Sequence, residues 1–298
     1  MRILLTGSSG LLGSAIAELA LRGSHEVHSA YNQHPPKSGM PLKLDLTDLS
    51  AIGRAVRKIR PDAIVHAAAM TDVDRCERER DLALRVNYGA TAALASAARE
   101  AGAFLAYVST DYVFNGERGL YSEADEPDPV NFYGHTKLKG EESVEGLAGE
   151  YCIARASVIY GAVPASGKAN FALWLIEKLE RGEEASVLKD QYISPTLNSS
   201  LARMILEAVE RGLEGTYHMA GADRVSRYDF AVELCKALGF DASLLKPARM
   251  EDMGWVARRP RDSSLDVSKA AGTLKAKPLR LTEALRILKE EVGRCSRA

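Results

Sequence analysis

The stretch Arg2-Ile3-Leu4-Leu5-Thr6-Gly7-Ser8-Ser9-Gly10-Leu11-Leu12-Gly13 runs from a short apolar segment into three glycines spaced three residues apart. A helical pattern over residues 11–22 follows at once, so the glycines sit at a strand-to-helix turn. At such a turn one glycine lets the chain reverse tightly. A second lets backbone approach a pyrophosphate, and a third lets helix and strand pack closely. The helix start adds unpaired N–H groups and the positive end of the helix dipole. Gly7, Gly10 and Gly13 fill these roles with Ser9, Leu11 and Leu12 between them, and the segment reads as a dinucleotide site.

Further along, apolar runs at 25–31, 63–67, 104–109 and 151–159 alternate with helical patterns at 49–59, 82–101 and 133–149. Alternation of this kind predicts an α/β fold with a doubly wound parallel sheet joined by right-handed helical crossovers. Beyond residue 160, helical patterns at 171–181, 199–211, 227–238 and 281–292 are mixed with short strands and loops. They predict a smaller, interleaved α+β unit. The expected division is a dinucleotide domain over 1–160, with parts of about 187–215 interleaved, and a substrate-binding unit from 161–186 and 216–298. A cleft is expected between the two.

The chain has 298 residues, 46% of them hydrophobic, enough to bury a sizeable core. Its formal net charge is -1, with both signs interspersed, which excludes the electrostatic footprint of a nucleic-acid or anionic-membrane partner. No stretch approaches the roughly 20 apolar residues of a membrane span. Met1-Arg2 passes straight into a strand pattern rather than a signal peptide, and a cytoplasmic location is expected. Cys76, Cys152, Cys235 and Cys295 lack the close spacing of metal or redox motifs, so reduced thiols and no metal are expected.

The end of the second strand bears on which dinucleotide binds. An NAD-selective site carries an acidic residue there for the ribose 2′-hydroxyl. This chain has Tyr31-Asn32-Gln33-His34 instead, which favours NADP(H) and leaves NAD(H) possible. Asn32 borders that end of the cofactor, with His34 and Lys37 as the nearby positive candidates. By position, Asp45 and Leu46 would reach the adenine, and Ala67, Ala68 and Ala69 would pass beneath the nicotinamide ribose.

Tyr133 and Lys137 lie four residues apart and share one face of the helix that begins near Asn131. A lysine beside a tyrosine favours the phenolate, bringing a hydroxyl with a pKa of about 10 toward use as a general acid or base. His66, inside an apolar run, reads as a packed strand residue. Asp72, Asp74, Glu77 and Glu79, mixed with Arg75, Arg78 and Arg80, read as a solvated helix start rather than a cation site.

Together these motifs resemble the extended short-chain dehydrogenase/reductases, and within them the dTDP-4-dehydrorhamnose reductases. The resemblance runs through Gly7 to Gly13, His66-Ala67-Ala68-Ala69, Ser109-Thr110-Asp111-Tyr112-Val113-Phe114 and Tyr133-Gly134-His135-Thr136-Lys137. It continues in Asp190-Gln191-Tyr192-Ile193-Ser194-Pro195-Thr196 and Arg259-Pro260-Arg261-Asp262-Ser263-Ser264. It implies a Rossmann domain and an NADPH-dependent oxidoreductase that reduces the 4-keto group of a deoxy-sugar nucleotide, dTDP-4-dehydro-L-rhamnose to dTDP-L-rhamnose. In that scheme Tyr133 donates a proton, Lys137 holds the nicotinamide ribose and lowers the tyrosine pKa, and Thr110 hydrogen-bonds the carbonyl oxygen. The same scheme gives substrate contacts to Thr71, Asp111, Tyr112, Asn170, Phe171, Gln191, Thr196 and Arg259. It implies a homodimer paired through helices at 82–101 and 137–147.

One position departs from the pattern. The rhamnose reductases commonly carry a tryptophan where this chain has Val158. Val158 and the run from Arg259 to Lys269 resemble the regulatory beta subunit of methionine adenosyltransferase, which implies an NADP-binding partner protein as the alternative. A reductase or epimerase of another sugar nucleotide is a further alternative.

Overall fold

A computed structural model describes residues 1–164 and 169–295. The dinucleotide half runs β1 (Arg2–Thr6), α1 (Leu11–Arg22), β2 (Glu26–Tyr31), β3 (Met40–Lys43), α2 (Leu49–Ile59), β4 (Ala63–His66), α3 (Val73–Arg78) and α4 (Arg80–Ala83). It continues through a π-helical turn (Leu84–Gly89), α5 (Ala90–Ala101), β5 (Phe104–Thr110), α6 (Phe132–Leu147) and β6 (Tyr151–Ala156). Then follow β7 (Ile159–Tyr160), α7 (Phe171–Glu180), β8 (Ala185–Leu188), β9 (Tyr192–Ile193), β10 (Thr196–Leu197), α8 (Asn198–Arg211) and β11 (Gly215–His218). The chain ends with β12 (Val225–Ser226), α9 (Arg227–Leu238), β13 (Leu245–Ala248), α10 (Ser268–Thr273) and α11 (Leu281–Cys295).

Seven strands form one parallel sheet in the order β11-β6-β5-β4-β1-β2-β3. The order reverses between β1 and β4, and a doubly wound sheet opens its ligand crevice at that point, at the carboxyl ends of the strands. One face carries α1 and α8 over Ile3, Leu5, Val65 and Ala154. The other carries α2, α5 and α6 over Leu4, Ile64, Leu105 and Ile153. Strands buried on both faces account for the unbroken apolar runs of β1, β4 and β5.

The outermost strand, β11, comes from the part of the chain expected in the second unit. It pairs with β6 in register Gly215 to Cys152 through His218 to Arg155. The remaining elements build a separate core in which α7, α9 and α11 pack with β8 and β13 around Tyr160, Leu175, Phe230 and Leu285. Two local features differ from the periodicity. The expected helix over 82–101 forms with a π turn inside it, and the run 151–159 stops at Ala156 and resumes at Ile159. Between them Val158 has φ +33°, a left-handed setting that is strained for a β-branched residue.

Candidate functional site

The glycine turn closes as its spacing requires. Gly7 has φ +71° and its carbonyl accepts the Gly10 N–H at 2.9 Å. A Cβ on Gly13 would overlap the Gly7 carbonyl group. Gly10 precedes α1 with no side-chain cap, so the helix N-terminus stays open to an anion. From this turn a cleft of about 730 Å³ extends over the sheet's switch point. Its lining includes Gly7, Ser9, Gly10, Leu11, Leu12, Gly13, Asn32, Leu46, Ala67, Ala68, Ala69 and Thr71 at one end. Thr110, Asp111, Tyr112, Tyr133, Lys137 and Val158 line the other.

At the ribose end Asn32, Gln33 and His34 line the wall, and Asp111 is the one carboxylate among the lining residues. Asp45 does not join them. Its carboxylate accepts the backbone N–H and the hydroxyl of Thr47, both at 2.8 Å, which ties a turn, while Leu44 and Leu46 face the cleft.

The loop after β4 is fixed by a residue that periodicity did not single out. Asn87, in the π turn, is buried. Its carbonyl oxygen accepts from Met70 N at 2.7 Å, and its amide donates to Met70 O at 3.1 Å and Thr136 Oγ1 at 3.0 Å. One side chain thus ties the Ala67–Ala69 loop to α6. His66 is likewise a packed residue: Thr91 donates to Asn87 O, so it accepts from His66 Nε2, which leaves Nδ1 to accept from Thr6 Oγ1 at 2.7 Å. Burial, and secondarily the charge of Lys137, pushes the imidazole down to about 3.

The α6 helix begins at Asn131, whose carbonyl oxygen caps Gly134 N at 2.8 Å and whose amide donates to Arg258 O at 2.9 Å. Tyr133 and Lys137 share one face and both reach the cleft. Their relation differs from the sequence expectation. Lys137 donates to Val108 O at 2.8 Å, lies 4.1 Å over the Tyr107 ring, and is pushed down to about 7 by burial, with Glu141 acting against the shift. Tyr133 is not held low. Burial pushes its phenol well above the ordinary range, and the Thr110 hydroxyl is the group that opposes the rise. The i, i+4 spacing brought the two residues to one face without fixing which acceptor takes the ammonium.

Asp111 is 2% exposed and serves as a rivet. It accepts from Ser157 Oγ at 2.8 Å, Ser263 Oγ at 2.5 Å and Thr110 Oγ1 at 3.1 Å, so it orients the threonine and joins three separate segments. Burial pushes its carboxyl up, against those hydroxyls and the charge of Arg227. Beneath it, Glu141 and Arg155 form a two-pronged ion pair, Nε to Oε1 at 3.0 Å and Nη2 to Oε2 at 2.7 Å, with Ser109 donating to the same carboxylate. His218 accepts from Arg155 through Nε2, since its Nδ1 donates to Asp266 O.

The residues expected to touch a sugar nucleotide divide into two groups. Thr71, Asp111 and Tyr112 line the cleft. Others do structural work. Thr196 is buried and donates to Ser157 O at 2.6 Å, and Asn170 caps α7 through Ala172 N and Leu173 N. Phe171 stands in an aromatic group with Trp174 and Phe230. Gln191 is buried, and Arg259 pairs with Asp74 at 2.9 Å. The acidic run is a solvated helix start only in part: Asp72 caps α3 and Glu79 pairs with Arg75, whereas the sheltered Asp74 accepts from Ala257 N and Arg259, and Glu77 from Phe132 N and Arg80.

Compared with known families, residues 1–293 match the model of the RmlD substrate binding domain. The chain belongs to that family. It is 35% identical over 277 residues to the probable low-salt glycan biosynthesis reductase Agl14 of Haloferax volcanii, covering 92% of each chain. It is 31% identical to methionine adenosyltransferase 2 subunit beta of Danio rerio, over 90% of this chain and 83% of that one. Among solved structures, the dTDP-4-dehydrorhamnose reductase of Bacillus anthracis in complex with NADP superposes with a TM-score of 0.88 at 33% identity. That match covers 97% of this chain and 99% of the other. The resemblance drawn from the motifs and the expected parallel α/β fold both hold. No described helix is long and apolar enough to cross a membrane.

Within this RmlD family member, strain at Val158 is testable. Val158→Gly relieves the left-handed backbone at a half-buried position, and the expected gain in urea unfolding is about 1 kcal/mol. A loss of stability would show that the valine side chain, not the backbone, governs this segment.

Proposed function

We propose that the protein is an NADPH-dependent reductase of the 4-keto group of a deoxy-sugar nucleotide, dTDP-4-dehydro-L-rhamnose being the leading substrate. The observation that carries this reading is the meeting of Thr110, Tyr133 and Lys137 on one wall of the cleft that starts at the glycine turn. The cleft suits the cofactor chemically: an open helix N-terminus for the pyrophosphate, close-approach glycines, and no carboxylate at the ribose end to repel a 2′-phosphate. When bound, NADPH supplies the hydride. Tyr133, kept protonated by its buried setting, donates its phenolic proton to the carbonyl oxygen as charge develops there. The Thr110 hydroxyl, which donates its one hydrogen to Asp111 in this structure, turns that hydrogen to the carbonyl oxygen to act as the second donor, while Tyr112 N keeps its oxygen in place. Lys137 holds the nicotinamide ribose, and its ammonium offsets the negative charge left on Tyr133.

The glycine turn gives a direct check on the cofactor. Gly13→Ala places a methyl group against backbone that cannot move aside, so NADPH affinity in a fluorescence titration is expected to fall on the order of 100-fold. Unchanged affinity would remove the dinucleotide from this turn. The activity itself is tested by NADPH consumption with dTDP-4-dehydro-L-rhamnose generated in situ. Turnover supports the reductase, and a homodimer through α5 and α6 is part of this reading.

The likeness to methionine adenosyltransferase 2 subunit beta, with valine rather than tryptophan at 158, favours one second reading. There the protein binds NADP and serves as a partner of a methionine adenosyltransferase. Tight NADPH binding without ketone reduction, together with copurification of that enzyme, would select it.

A further inference from the structure

Arg227 begins α9, and its surroundings are unlike those of the other sheltered arginines. Among the described residues, Arg2, Arg155, Arg227 and Arg259 are the arginines that are not exposed. Three of them hold a carboxylate: Glu26, Glu141 and Asp74 respectively. Arg227 holds none among the described residues. Its Nε donates to Gln191 Oε1 at 2.5 Å, and its guanidinium lies 4.9 Å over the Phe171 ring. That leaves the two terminal nitrogens, the edge of the guanidinium that binds two oxygens at once, without a described partner.

The position is fixed rather than incidental. Gln191 is 1% exposed, accepts the Arg227 side chain, and donates through Nε2 to Pro260 O at 3.3 Å. Its backbone carbonyl also accepts Arg227 N at 3.1 Å. One buried amide therefore clamps Arg227 to the loop that carries Arg259. Tyr112, which lines the cleft, lies near enough to Gln191 and Arg227 for both to act on its phenol. Burial raises the Tyr112 phenol, and the charges of Arg227 and Arg259 both act against that rise. The carboxylate nearest in influence, Asp111, already accepts three hydroxyls and does not engage the guanidinium.

A sheltered cation without a counter-charge is costly unless a ligand provides one. We propose that Arg227 binds the diphosphate of the nucleotide-sugar substrate, with Gln191 as the residue that positions its guanidinium. The assignment rests on the sugar-nucleotide reading above. It adds to the expected substrate contacts a residue on α9, whereas Arg259 in that set is already paired with Asp74.

Calorimetric titration of dTDP, UDP and thymidine into protein saturated with NADP, for the unaltered chain, Arg227→Leu and Arg227→Lys, tests it. The expected result is a dissociation constant for dTDP or UDP about 10- to 100-fold higher in Arg227→Leu, with a smaller rise in Arg227→Lys. Thymidine binding and NADPH affinity stay unchanged. Equal nucleoside diphosphate binding by Arg227→Leu overturns the proposal, as does no binding of either diphosphate by the unaltered chain. A parallel loss of NADPH affinity also overturns it, since Arg227 would then be a prop of the fold. If the unaltered chain reduces no ketone yet binds dTDP through Arg227, the reductase reading fails and this assignment stands. If turnover is normal and KM is the same in Arg227→Leu, the assignment fails alone.

Discussion

Tyr133→Phe is expected to lower kcat for ketone reduction by about 10³-fold while leaving NADPH affinity within about twofold of the unaltered protein. The substitution removes one oxygen from a half-buried ring that packs edge-on against Tyr112 at 6.0 Å, so the packing survives. What is lost is the proton. Hydride addition leaves charge on the carbonyl oxygen, and Thr110 alone then has to stabilise it, with the single hydrogen that it otherwise gives to Asp111. Because burial keeps Tyr133 protonated in the free protein, the phenol is ready as an acid without first capturing a proton from solvent. Stopped-flow measurement of NADPH oxidation separates this step from product release. A variant that retained more than a tenth of kcat would transfer the proton to another donor, and Lys137 is the group nearby that holds one near neutral pH.

The largest stability effect is expected beneath the site. Glu141 and Arg155 have side chains 3% and 6% exposed, and each satisfies the other. Arg155→Met leaves a carboxylate in a dry interior with only the Ser109 hydroxyl, and the expected loss in urea unfolding is about 3–5 kcal/mol. The double variant Glu141→Leu with Arg155→Met is expected to recover most of that loss, since two apolar side chains of similar volume need no partner. Glu141 also lies one turn beyond Lys137 and supports its charge, so the double variant should stay folded yet bind NADPH less well. A cost below about 1 kcal/mol for Arg155→Met alone would mean that water reaches the pair.

The parts of this molecule readable from sequence are those set by local patterning. Alternating apolar runs and helical stretches fixed the parallel sheet, because strands covered on both faces cannot be polar. The glycine turn was legible because close backbone approach admits no other residue at Gly13. The helix over 82–101 is legible, but the π turn inside it is not, because an i→i+5 turn has no residue signature, and its Asn87 holds the cofactor-side loop. Position points Asp45 at the cofactor and the resemblance points Asn170 and Thr196 at the substrate; in the structure these side chains tie a turn, cap a helix and brace Ser157. Short polar side chains beside their own backbone often make such bonds. Arg227 was invisible for the opposite reason. Its distinction is the absence of a carboxylate, and which arginines find one is decided by segments far apart in the chain.

The Asp111 rivet has a consequence for how the chain folds. Its hydroxyl donors run from the adjacent Thr110, at the end of β5, to Ser263, which is 152 positions from Asp111. β11, the seventh strand, also arrives late, at Gly215–His218. A nascent chain that has produced six strands already holds the partners of the glycine turn and of most of the cofactor wall, the most distant of them within the first half of the chain. It cannot yet complete the shell around Asp111, because that closure waits for contacts of high sequence separation, which form slowly. Cofactor affinity should therefore emerge before the hydrogen-bonded setting of Thr110 is locked, and the C-terminal third of the chain sets the pace at which the site matures.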